Sequence, residues 1–157
     1  MAYILNDPTI FSIYELVASD IYQLSVGNEI FRGDFLPIRW ILSKDSSQDI
    51  GDYFLMTAVN FGQLSVLQYL HEKGYVWDEG TCAKAAENGH LDCLIYLHEQ
   101  GCPWDRRTCM YAARNGHLDC LRYAFDHGCP YDIEICKAVA IKYKRDRCLQ
   151  YIMDVGR

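Results

Sequence analysis

In the stretch 91–101 apolar residues fall three apart, at Leu91, Leu94 and Leu97, and the same beat returns 27 residues on at Leu118, Leu121 and Ala124. That spacing marks one face of an α-helix. Cys93 and Tyr96, with Cys120 and Tyr123, widen the face. Ahead of each run lies another helical stretch of roughly nine residues, with Ala85-Ala86 or Ala112-Ala113 on its inner side. Small side chains there let neighbouring helices approach closely. Asp78, Asp105 and Asp132 stand where an N-cap is wanted. Asn88-Gly89 and Asn115-Gly116 end the first helix of each copy, because glycine takes the left-handed conformation without steric cost. Gly101 and Gly128 close the second, and Pro103 and Pro130 forbid its continuation. Each copy therefore predicts two short antiparallel helices.

The repeat is explicit. Residues 78–104 read DEGTCAKAAENGHLDCLIYLHEQGCPW and residues 105–131 read DRRTCMYAARNGHLDCLRYAFDHGCPY, agreeing at more than half of their positions. A looser copy occupies 51–77, and 132–157 forms a C-terminal capping repeat with one extra residue before Cys148. Its polar finish comes from Lys142, Lys144, Arg145 and Arg147. A degenerate copy spans 20–50, with Gly33 and Trp40 in the places of Gly62 and Tyr69. Asp7-Pro8-Thr9 opens an apolar segment (Ile10, Phe11, Ile13, Tyr14, Leu16, Val17) that predicts an N-terminal capping helix over 1–19. The polar stretch from Ser43 to Asp49 reads as a loop. One hairpin cannot hide its own apolar stripe, but stacked copies can. The expected fold is all-α: a single domain of stacked antiparallel helix pairs with short loops between copies.

Composition narrows the function. Of 157 residues half are apolar and 23% charged, which is a globular balance. A net charge of −6 argues against nucleic acid, whose phosphates need a surplus of Lys and Arg. No apolar run approaches the roughly 18 residues of a membrane span. The opening residues lack the basic and apolar regions of a secretory signal, so a cytoplasmic location and no membrane partner are expected.

Ala85-Ala86-x-Asn88-Gly89-His90-Leu91-x-x-Leu94-x-x-Leu97-x-x-x-Gly101 resembles the core of the ankyrin repeat. The Gly-His-Leu-Asp-Cys-Leu and Gly-Cys-Pro-Trp-Asp segments look like the short ankyrin-type repeats of large DNA viruses of amoebae. The match runs over roughly 20–157 and is most specific over 52–131. The copies depart from the usual length of about 33 residues, and Thr81-Cys82-Ala83-Lys84 replaces the usual Thr-Pro-Leu-His. Tight turns are therefore expected instead of projecting β-hairpin fingers. The resemblance implies a non-catalytic protein-interaction module with a protein partner of unknown identity, bound through the first-helix (concave) face. It also implies host cytoplasm if the chain is viral.

The rival readings are a Cys/His-dependent metal or redox protein and a self-associating structural unit; a monomer without cofactor is expected. Eight cysteines would ordinarily suggest zinc or disulfides, yet no Cys-x-x-Cys occurs. Instead Cys82, Cys109 and Cys136 stand 27 apart, and the rest follow the same ruler. Thiols one copy apart, about 10 Å in stacked helical layers, are too distant to cross-link. They read as small buried apolar residues. His90 and His117 could bind metal or carry protons; the resemblance implies helix-end hydrogen bonds. His71 and His98 are expected at the surface or in a groove. Trp77, Trp104 and Tyr131 could anchor a partner, and are expected to pack over the next copy's helix start. No phosphate loop or isolated carboxylate pair appears, so no catalytic residue is assigned. A vestigial F-box-like segment near the N-terminus lacks a Leu-Pro opening.

Where the two best copies disagree, packing has released the position. On the first helix the differences are Glu79/Arg106, Gly80/Arg107, Ala83/Met110, Lys84/Tyr111 and Glu87/Arg114. Lys84, Glu87, Arg106, Arg107, Met110, Tyr111, Arg114 and Lys137 are the candidate protein-binding residues. Arg with Tyr and Met is an interface composition. The alternative is internal, with Glu79 pairing Arg106 and Glu87 pairing Arg114.

Overall fold

The computed structural model describes residues 48–156. The expected N-terminal helix over 1–19 and the degenerate copy as far as residue 47 lie outside them, as does the stretch weighed as a vestigial F-box. Eight helices occur among the described residues, and no strand. They are α1 (Gln48–Asn60), α2 (Leu64–Glu72), α3 (Glu79–Asn88), α4 (Leu91–Glu99), α5 (Arg106–Asn115), α6 (Leu118–Asp126), α7 (Ile133–Lys142) and α8 (Asp146–Val155). Gln48 and Asn60 bound α1, so the end of the expected polar loop is helical.

Odd helices stack on odd and even on even, while each pair is closed by its own hairpin. This is the expected layered solenoid. Its core is thin and regular: Leu67 and Leu70, Leu94 and Leu97, Leu121 and Ile152 are all fully buried, with Ala85-Ala86 and Ala112-Ala113 between first helices. The buried edge of α4 is Cys93, Leu94 and Leu97, and that of α6 is Cys120, Leu121 and Ala124. Leu91 and Leu118 are half-buried, not part of that stripe. They open their helices beside the Gly-His turn, where one flank still meets solvent.

The caps follow the sequence. Asp78 accepts the Thr81 amide and Thr81 accepts the Asp78 amide, a reciprocal capping box. Asp132 accepts from Glu134 and Ile135. Gly89 and Gly116 sit at φ +79° and +88°. A Cβ on Gly89 would run into the His117 ring, and one on Gly62 into the His90 ring. The turn glycine thus admits the histidine of the next copy. That histidine uses the space: His90 Nε2 lies 3.0 Å from the Asn60 carbonyl, at the open end of α1. Arg145, which replaces the histidine in the last copy, donates Nε to the Arg114 carbonyl at 3.1 Å. The histidine position is a splice between layers. In that copy Lys144 takes the glycine's place at φ +55°, the one non-glycine residue with positive φ among the described residues.

Candidate functional site

All eight cysteines are free and buried. The ladders, however, are not independent. Cys102 and Cys129, from the Gly-Cys-Pro turns, donate their thiols to the Asp78 and Asp105 carbonyls at 3.3 and 3.4 Å. They also lie beside Cys82 and Cys109, so thiols 20 residues apart meet within each copy. The neighbouring thiol and burial push Cys82 and Cys109 far above the ordinary thiol range. Burial pushes Cys93 and Cys120 up to about 12 and Cys136 to about 11. Such thiols are protonated and unreactive at neutral pH. Among the described residues no group of three or more His, Cys, Asp or Glu could hold a metal ion.

His71 and His98 are not loose surface residues. Each holds Nδ1 2.9 Å from a tyrosine hydroxyl of the next copy, Tyr96 and Tyr123 respectively. Trp77 and Trp104 lie on these histidines, with ring centroids at 4.1 and 4.0 Å, and meet the same tyrosines edge-on. The indoles therefore pack against second helices. Stacking on a flat imidazole buries a large face at small entropic cost. Tyr131 likewise stacks on Phe125, at 4.1 Å.

The released positions sit on the first helices, and the structure divides them. Arg106, Arg107, Met110 and Tyr111 come together: with Asp132, Ile135 and Cys136 they line a cleft of about 190 Å³ between α5 and α7. Lys84 and Glu87 lie one layer away on α3, bound to each other at 2.7 Å. Lys137 is on α7, paired with Glu134 at 3.0 Å. Arg114, at the far end of α5, lies over the Tyr143 ring at 5.3 Å.

The charge pairing differs from the alternative weighed above. Glu79 meets Arg107 at 3.6 Å rather than Arg106, and Glu87 meets Lys84 rather than Arg114. Arg107 also grips Asp105 through Nε at 2.8 Å, and the two carboxylates keep its guanidinium more basic than usual. Arg106 is exposed and has no ion-pair partner among the described residues. The grip on Asp105 has a local cost. Asp105 accepts the Arg107 amide and Nε, so no reciprocal box forms with Thr108. The Thr108 hydroxyl is fully buried without a hydrogen-bond partner, whereas its counterpart Thr81 is satisfied twice over.

A second cleft, missed by comparing only the two best copies, lies between α1 and α3. It holds about 400 Å³ and is lined by Asp52, Leu55, Met56, Val76, Trp77, Asp78 and Thr81. The looser copy carried the signal, since Asp52 and Met56 stand 54 residues before Arg106 and Met110.

Stacked helix pairs with this turn chemistry agree with the family comparison: the model described as ankyrin repeats, in three copies, matches residues 55–136. The chain belongs to the ankyrin repeat family. No curated protein matches it. Ankyrin repeats are protein-interaction modules, and proteins built from them are in general scaffolds rather than catalysts. In this ankyrin chain no described helix is long and apolar enough to cross a membrane. Among the described residues the loops between the ankyrin copies contain no strand.

Proposed function

We propose that this ankyrin chain acts as a monomer that captures another protein on the face carried by its first helices. Residues 1–50 would cap one end of the array and the pair in 132–157 the other. The observation that carries the binding face is the α5–α7 cleft. There an exposed arginine with no ion-pair partner among the described residues, a methionine and a tyrosine surround a small hollow at positions the repeat does not need for packing. Arg106, Met110 and Tyr111 are the central contacts. Lys84, Glu87, Arg107, Arg114 and Lys137 are already engaged within the chain and contribute shape and charge around them. Exposed ion pairs of this sort stabilise by about 0–1 kcal/mol, so a partner can displace them at small cost.

The short 27-residue beat and its Gly-His-Leu-Asp-Cys-Leu segment support an origin among large DNA viruses of amoebae. The partner would then be a host or viral protein, met in the cytoplasm. Affinity capture with the immobilised chain, followed by mass spectrometry, identifies that partner. Replacing Arg106, Met110 and Tyr111 together by alanine should abolish its capture while leaving the circular dichroism spectrum unchanged. Undiminished capture by the triple variant would remove the first-helix face from consideration.

A further inference from the structure

Two thiols meet inside each of the best-matched copies, Cys82 with Cys102 and Cys109 with Cys129. In both, the turn thiol donates to the carbonyl of the aspartate that caps the first helix, Asp78 or Asp105, at 3.3 and 3.4 Å. The copies differ in what stands beside that thiol. Thr81 gives its hydroxyl to the Asp78 carboxylate. Thr108, the same residue one copy on, is fully buried and has no oxygen or nitrogen partner, because Arg107 holds Asp105. Its hydroxyl is aimed at the Cys129 sulfur. Cys129 therefore faces two donors, the Cys109 thiol and the Thr108 hydroxyl, which hold its pKa below the ordinary thiol value in spite of burial. The same thiol contact, with burial, drives Cys109 upward. A buried hydroxyl directed at one thiol of a touching pair is not demanded by repeat packing, since Cys82 and Cys102 are buried without it.

We infer that Cys109 and Cys129 are an oxidisable pair, which hydrogen peroxide converts to a disulfide within the 105–131 copy, Cys129 being the sulfur that reacts first. Cys129 gives up its proton and its sulfur attacks one peroxide oxygen, breaking the O–O bond. Cys129 becomes a sulfenic acid, and its proton leaves with the other oxygen as water. The Cys109 sulfur, already in contact, then attacks the Cys129 sulfur. The S–O bond breaks, and the Cys109 proton leaves with that oxygen as a second water. Two thiols are thus oxidised to one disulfide while one peroxide is reduced to two waters. A small-molecule dithiol reverses the change by exchange and ends as its own cyclic disulfide. Thr108 donates to the Cys129 sulfur as negative charge gathers there. Arg107 is a positioning residue, keeping the Asp105 carboxylate away from Thr108. Cys129 is 1% exposed, which keeps bulky thiol reagents out. Peroxide is close to water in size, and the turn carrying Cys129 begins at Gly128, where a Cβ would meet nothing within 4 Å.

The test exposes the reduced full chain to hydrogen peroxide at neutral pH. Catalase then removes the peroxide, N-ethylmaleimide blocks the remaining thiols in urea, and linked peptides are mapped by mass spectrometry without reduction. The Cys109–Cys129 link should form about tenfold faster than the Cys82–Cys102 link, the gain expected of one hydroxyl donor to a thiolate. Thr108→Val should remove that advantage and leave the Cys82–Cys102 rate unchanged. Arg107→Ala, which frees Asp105 to take up Thr108, should do the same, and combining the two should slow the link no further. In Cys109→Ser, dimedone should trap a sulfenic acid at Cys129, whereas in Cys129→Ser it should trap none at Cys109. If a variant fails to fold, the two rates in the unaltered chain decide. Equal rates for the two links, a Cys109–Cys129 link that forms only in urea, or no link at all overturns the assignment, as does an unchanged rate in folded Thr108→Val.

Discussion

Thr81 and Thr108 are the same residue at the same place in consecutive copies, and the structure gives them opposite energetic roles. Thr81 accepts the Asp78 amide at 3.3 Å and donates to the Asp78 carboxylate at 3.1 Å. Thr81→Val breaks both and leaves a helix-start amide unserved, a loss of about 1–2 kcal/mol. Thr108 is equally buried, but because Arg107 holds the Asp105 carboxylate its hydroxyl has only the Cys129 thiol, a weak hydrogen-bonding group, beside it. Thr108→Val replaces that poorly served hydroxyl by a methyl group and should stabilise by about 1 kcal/mol. With a urea slope of about 1–3 kcal/mol/M, the two midpoints should move in opposite directions, down by about 0.3–2 M for Thr81→Val and up by about 0.3–1 M for Thr108→Val. Urea unfolding followed by circular dichroism reads this directly. The cause is tested by adding Arg107→Ala, which frees Asp105 to form the box. In that background Thr108→Val should become destabilising, as Thr81→Val is. Destabilisation by Thr108→Val in the unaltered chain would refute the reasoning, as would additivity of the Arg107 and Thr108 changes.

Other perturbations probe the remaining features. Lys144→Gly should raise stability by about 0.5–1 kcal/mol, the left-handed strain relieved less the entropy glycine adds to the unfolded chain, read from the thermal midpoint. Burial lowers the pKa of His98 and His117. A lowered histidine contributes stability above its unfolded value near 6.5 and loses it as pH falls from there through the folded value. The urea midpoint should therefore drop between pH 7.5 and 5.5, and His98→Phe, which copies the residue at Phe125, should flatten that drop. A thiol-specific reagent such as dithionitrobenzoate should label almost no cysteine in the native chain and all eight in urea, since every thiol is buried. Rapid native labelling would contradict the packing of the ladders.

Much of the layer geometry was legible beforehand because it is written within one or two helical turns. Asp78, Asp105 and Asp132 cap the turns they precede, Gly89 and Gly116 end the first helices, and Leu94 and Leu97 face inward. The stripe was misread at Leu91 and Leu118, because three-residue spacing identifies a face without saying how far a neighbouring layer overhangs it.

What the sequence determined by itself is the repeat: helix, glycine turn, helix, proline stop, at an interval of 27, with backbone preferences of one residue setting each boundary. What the tertiary structure decided is which side chains meet across layers. Register between copies brought His71 to Tyr96, set Trp77 on second helices, joined two cysteine ladders within each copy, and sent Glu79 to Arg107 instead of Arg106. Long charged and aromatic side chains have several rotamers of nearly equal energy, and the pairings that choose among them contribute about 1 kcal/mol or less each. That choice is settled by where the neighbouring layer places its partners, which no single copy of the repeat encodes.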